Sequence, residues 1–274
     1  MTARDHAVWD CHVHVIGDPR RFPMTPERRY TPGEAGLDRL RTHLRGVGAG
    51  RVVLVQPTIY GADHSCLLNA LEALGEMAIA VGAWNEEAPP PDHPRLRGWR
   101  IDLRGDWSEA HAQKLSRAAA EAGERHLELQ VQPSILAALD RAAGSVRVPI
   151  VLDHLAGFPD EAEWPALEHL LNRPGVFVKL SGLERAPGGL AGALPLARRL
   201  AARFPDRLVW GSDWPHTPLH PPRADRAAPL PFRSVDLLDT LARLEGALGP
   251  SLARSRSDTA AQIYDQPGKK IEIS

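Results

Sequence analysis

Eight short apolar runs spread over the whole chain constrain its fold more than any other feature. They are Val8–Val15, Val52–Gln56, Ala78–Trp84, Gly98–Leu103, His126–Val131, Pro149–Leu155, Val176–Ser181 and Leu208–Asp213. Segments such as RVVLVQP and VPIVLDHL are continuously apolar, as strands buried on both faces are. Amphipathic stretches of helical length separate most of them: Glu34–Gly48, Ser65–Met77, Trp107–Gly123, Ser134–Ala143, Trp164–Asn172 and Leu190–Phe204. Strand and helix in repeated alternation give parallel βα units. Eight units predict an α/β fold of the (β/α)8 TIM-barrel type, and 274 residues suit one such domain spanning residues 1–274. The competing arrangement is an open doubly wound sheet. It needs fewer strands, and no GxGxxG fingerprint follows the first run.

Composition narrows the partners. The 33 basic and 34 acidic side chains nearly cancel, so nothing calls for nucleic acid or an anionic membrane. No run of about 18 apolar residues is present to suggest a membrane span, and the first ten residues show no signal-peptide pattern. Two cysteines, Cys11 and Cys66, imply no disulfide framework, and a cytoplasmic location is expected. The expected partner is a small molecule, the expected assembly a monomer or homodimer. Asn85–Arg97 is a proline-rich connection, and residues 216–231 form a proline-rich loop after the last run, either a lid or a surface connection.

Polar residues gather at the C-terminal ends of the runs. A doubly buried strand does not carry His or Asp without a partner or a purpose. His12 and His14 lie two apart, so in an extended strand their imidazoles point the same way. Such a pair makes a metal site or a polar clamp for an oxygen-rich ligand. Cys11 falls on the opposite phase and is expected in core packing. His154 closes the sixth run and Asp213 the eighth. Singly, each suits a satisfied core residue or a turn; together they converge only if the strands close into one barrel. Arg100 and Arg185 are placed to bind a planar carboxylate, or to make surface ion pairs. Tyr30, Gln56, Thr58 and Tyr60 offer short-range hydrogen bonds, or serve as turn residues. Lys179 alternates with Val178 and Leu180 and has no assigned role. His43, His111 and His169 fall on helical segments and are expected in solvent.

Taken in order, WDCHVHVIG, RRYTP, VVLVQPTIYG, RGWRIDL, HLELQVQ, VPIVLDHLAG, VFVKLSGLER and LVWGSDWPHT resemble the amidohydrolase superfamily. The similarity is to its amidohydrolase-related branch, which holds 2-pyrone-4,6-dicarboxylate hydrolases and sugar-acid lactonases. The resemblance implies a hydrolase that opens a small carboxylated or hydroxylated lactone. It implies Asp213 as the catalytic base, His12, His14 and His154 around the reacting carbonyl, and Arg100, Arg185, Tyr30 and His216 toward the substrate. Gln130 stands where pyrone-dicarboxylate hydrolases tend to carry tyrosine, which turns attention to more hydroxylated lactones. No cofactor is expected. The alternative is one divalent metal, zinc, on His12, His14, His154 and Asp213. A base of this kind works with a pKa raised toward the working pH by burial, or with a metal acidifying the water. Two other readings are a metal-dependent decarboxylase and a non-catalytic small-acid-binding barrel.

Overall fold

The computed structural model describes residues 7–88, 91–218, 226 and 228–265. Eight strands form one parallel sheet in chain order. They are β1 (Trp9–Val13), β2 (Arg51–Val55), β3 (Ala78–Ala83) and β4 (Leu96–Asp102), followed by β5 (His126–Gln130), β6 (Ile150–Leu152), β7 (Val176–Leu180) and β8 (Leu208–Trp210). The sheet curls into a nearly closed (β/α)8 barrel. Its seam consists of two backbone bonds beyond β8, Asp213 N–H to His12 O (2.9 Å) and His14 N–H to Trp214 O (2.8 Å).

Helices α1 (Leu37–Gly46), α2 (Ser65–Leu74), α3 (Glu109–Glu121), α4 (Leu136–Ala143), α5 (Trp164–Asn172) and α6 (Gly189–Arg203) follow strands as expected. Their apolar stripes pack against Val52, Leu54, Ala80, Leu127, Leu152, Val178 and Leu208 on the outer face of the strands. The proline-rich link from β3 to β4 carries no helix among its described residues. Three further helices follow among the described residues: α7 (Leu237–Leu248), α8 (Pro250–Ser255) and α9 (Asp258–Tyr264).

The barrel interior is a second apolar cluster. Trp9, Cys11, Val53, Val55, Ile79, Val81, Val151, Phe177 and Val209 meet Ala260, Ile263 and Tyr264 of α9. Helix α9 therefore plugs the N-terminal mouth, with the Tyr264 ring stacked 5.9 Å from that of Trp9. Above this floor the interior becomes polar, with Arg100, Glu128, Asp153, Lys179 and His12 all buried.

Strand β1 is not a regular strand. Its pairing with β2 slips between Asp10 and Val13, so three residues of β1 span two of β2. Such a bulge reverses the side-chain phase. Cys11 joins the interior cluster while Val13 joins the outer one. Cys11 is indeed core, but it shares the interior with His12 rather than opposing it. Gly211 makes room for the bulge: a Cβ there would stand 2.5 Å from His12 Cβ and 2.6 Å from His12 N.

Two expected strands end early. β6 stops at Leu152 and β8 at Trp210, because the next turns are left-handed. His154, Leu155 and Ala156 have φ of 48°, 50° and 56°, and Asp213 has φ 61°. No strand accommodates positive φ, and non-glycine residues hold it at a cost of about 1–2 kcal/mol each.

Candidate active site

The C-terminal mouth holds a cavity lined by His14, Tyr30, Thr58, Arg100, Arg104, Gln130, Asp153, His154, Arg185, Asp213 and Thr217, among others. The strand ends thus bring together most of the residues singled out from sequence. His12, Tyr60 and His216 are not on its wall; His12 is fully buried behind it. The Tyr60 hydroxyl faces the loop after β1 and accepts from Gly17 N–H at 3.1 Å. His216 Nδ1 lies 3.6 Å from Glu184 Oε1. His43, expected in solvent, is half-buried: its Nε2 bonds Asp10 Oδ2 at 2.9 Å and Ser212 Oγ at 3.1 Å. This contact clasps β1 to the turn after β8.

The imidazoles cluster tightly. The ring of His12 is centred 4.9 Å from that of His14 and 4.9 Å from that of His154. The bulge in β1 and the left-handed turn after β6 aim them at one point. His14 Nδ1–H donates to Val55 O at 2.8 Å, which leaves its Nε2 toward Asp213. His154 Nδ1 is bonded to Ser181 Oγ at 2.9 Å. Burial lowers all three imidazoles, that of His14 to about 4, with Arg100 adding to the effect. All three are neutral at physiological pH.

Asp213 is buried beside them. Its Oδ1 lies 3.8 Å from His12 Nε2 and 3.7 Å from His14 Nε2. Its Oδ2 accepts from Arg185 Nε at 2.8 Å and lies 3.4 Å from Arg233 NH2. Of the two conditions left open by the sequence, a base raised by burial or a metal-acidified water, the first is not met. Burial does push the carboxyl up, but the Arg185 guanidinium, then His154, His12 and His14, hold it well below the carboxylate range. Asp213 is therefore ionised at physiological pH.

The two predicted arginines are already engaged. Arg100 grips Asp153 Oδ2 with Nε and NH2, both at 3.0 Å. Arg185 NH2 donates to Thr217 O and Oγ1 at 2.8 and 2.9 Å. Arg233, which the sequence did not single out, forms an ion pair with Glu184, its NH1 2.9 Å from Oε1. Tyr30 is buried, and burial pushes its phenol up to about 12. Asp153, Glu128, Arg104 and Arg233 were missed. For Glu128 a signal existed: HLELQ and VFVKLS each place one charge inside an apolar strand, and opposite buried charges pair. Arg233 follows a long loop and carried no such signal. Residues 219–225 and 227 of the expected lid lie outside the described residues.

A metal fits part of this geometry. Ligand atoms of His12, His154 and Asp213 lie within 4.8 Å of one another. His12 Nε2 and Asp213 Oδ1 are both buried without a hydrogen-bond partner among the described residues. Their spacing suits one small ion or one oxygen held between them.

The amidohydrolase family profile matches residues 9–246. The chain belongs to the amidohydrolase family. It is 31% identical over 237 residues to 2-pyrone-4,6-dicarboxylate hydrolase of Comamonas testosteroni, covering 76% of both chains. It is 27% identical over 229 residues to 4-sulfomuconolactone hydrolase of Hydrogenophaga intermedia, covering 76% of this chain and 75% of that one. A crystal structure from Pseudomonas putida, provisionally assigned as a 2-pyrone-4,6-dicarboxylic acid hydrolase, superposes with TM-score 0.74 at 27% identity. That match covers 96% of this chain and 98% of the other. These relatives of the amidohydrolase barrel are named for opening lactones, and no described helix is long and apolar enough to cross a membrane.

Proposed function

We propose that this amidohydrolase opens a small anionic lactone by hydrolysis. The observation that carries the reading is the ionised, buried Asp213 facing the neutral imidazoles of His12 and His14 at 3.8 and 3.7 Å, too long for direct hydrogen bonds, with His154 beside them. Neutral imidazoles present N–H donors or lone pairs without bringing charge into the site. A carbonyl oxygen set among them is polarised where negative charge develops.

Water beside Asp213 Oδ1 gives its proton to the carboxylate as its oxygen bonds to the ester carbon. The ring C–O bond then breaks, and the leaving oxygen takes that proton from Asp213. Arg100, Arg104 and Arg185 line the cavity, and their guanidinium groups suit a substrate carboxylate. A divalent ion on His12, His154 and Asp213 would supply Lewis-acid polarisation of the same carbonyl.

A second cavity shares Thr58, Arg100 and Gln130 with the first and is lined by Gln56, Asn85, Asp102 and Lys114. Gln56 gives its amide N–H to Gly61 O at 2.7 Å and Asp63 O at 3.2 Å, which fixes its orientation. Its Oε1, and that of Gln130, are buried acceptors with no partner among the described residues. Acceptors on a cavity wall favour a hydroxylated arm over a second carboxylate.

A pH-indicator screen over a lactone library, with and without chelator, tests the function. Acid release from anionic or hydroxylated lactones is expected. Release from none, with carbon dioxide evolved from carboxylic acids in the presence of metal, would replace the reading with a decarboxylase.

A further inference from the structure

Lys179 and Glu128 take no part in the chemistry above. Both are fully buried on the interior faces of β7 and β5, with Nζ 2.5 Å from Glu128 Oε2. The same Nζ lies 3.1 Å from His12 Nδ1 and 3.7 Å from Asp153 Oδ1. A lysine ammonium between two carboxylates has N–H donors only. The imidazole nitrogen that faces it must therefore offer a lone pair. His12 Nδ1 faces that donor at 3.1 Å and carries no proton, so the imidazole is the neutral form. A neutral imidazole has one ring proton, and Nδ1 is taken up as an acceptor.

We propose that Lys179, anchored by Glu128, is a positioning residue that fixes His12 as an Nε2–H donor aimed at the reacting carbonyl. His14 has the opposite tautomer, because Val55 O at 2.8 Å can only accept from its Nδ1–H. The two neighbouring histidines are thus unequal: His12 donates into the site and His14 presents a lone pair. An Nε2–H cannot ligate a metal through that nitrogen, so Lys179 also works against the metal site that the distances alone would fit. The competing tautomer would send Nδ1–H toward Asp153 Oδ1 at 3.4 Å or Glu128 Oε1 at 3.5 Å, both longer than the Lys179 contact. It would set that N–H against the ammonium at 3.1 Å.

The catalytic consequence rests on the hydrolase reading, whereas the tautomer does not. Long-range 15N–1H correlation spectra of histidine-labelled protein read each tautomer directly. The expected result is Nε2–H for His12 and Nδ1–H for His14. Lys179→Met alone would leave Glu128 buried and unpaired, so the informative variant is Lys179→Met with Glu128→Met, which removes both charges at similar volume. In it His12 is expected to shift toward Nδ1–H. Zinc affinity by calorimetry should rise about 10–100-fold, and kcat on any hydrolysed lactone should fall about 10–100-fold with KM little changed. A wild-type His12 in the Nδ1–H form overturns the proposal. So does a double variant that keeps both the Nε2–H form and wild-type kcat. If no lactone is hydrolysed, the spectra still decide, so loss of the hydrolase reading and loss of this one are separate results.

Discussion

Asp213 combines two opposed influences, burial that favours the neutral acid and a guanidinium at 2.8 Å that favours the anion. The anion wins, so the carboxylate is ionised at physiological pH. Asp213→Asn removes the proton acceptor but keeps the shape, and kcat is expected to fall about 10²–10⁴-fold with an unchanged circular dichroism spectrum. Near-normal turnover would remove Asp213 from the mechanism. Arg185 is the largest of the groups depressing the Asp213 pKa. Arg185→Gln should let that pKa rise, so the acid limb of the kcat profile moves to higher pH. KM for anionic lactones should rise in the same variant. A profile that stays in place would show that Arg185 does not set the state of Asp213.

At the scale of elements, the site depends on irregularities rather than on regular strands. The β1 bulge puts His12 and His14 on the interior, and the left-handed turns after β6 and β8 swing His154 and Asp213 over the mouth. Gly211 is where two of these meet. Gly211→Ala would press a methyl into His12 Cβ and backbone. A cost of about 1–3 kcal/mol is expected, as for overpacking a filled core. Because the displaced strand carries the histidines, activity should fall further than the melting temperature suggests. Chemical denaturation with parallel assays measures both, and a variant that loses neither would mean that β1 yields freely.

For the whole molecule, α9 closes the barrel floor that the strands leave open. Tyr264→Ala removes a ring buried against Trp9 and is expected to cost about 3–5 kcal/mol by denaturant titration. A cost below about 1 kcal/mol would show that the floor is not held by that plug. The buried neutral histidines also make stability depend on pH. His14 titrates near 4 in the folded chain against 6.5 in the reference state, so the unfolded chain binds the proton more readily. Its contribution, up to about 3 kcal/mol, is complete above pH 6.5 and disappears as pH falls toward 4. Melting temperatures across that window should fall on acidification, and in His14→Gln the fall should be shallower.

The barrel itself was legible because burial on both faces demands continuous apolar strands, and eight of them alternate with helical stripes along the chain. The clustering of His12, His14, His154 and Asp213 was legible because His and Asp at the ends of such strands need a shared purpose. The phase of Cys11 was misjudged, since a bulge arises from how β1 meets β2 and β8 and leaves no mark on alternation. The anionic state of Asp213 was not legible for a similar reason: Arg185 is 28 positions away in sequence and 2.8 Å away in space. Sequence by itself determined which strands form and which side chains sit at their ends, because both follow from local periodicity and burial. Only the tertiary structure decided how those side chains are charged, which nitrogen of each histidine faces the site, and which arginines stand beside the base. Electrostatics acts through distances that the folded chain alone sets.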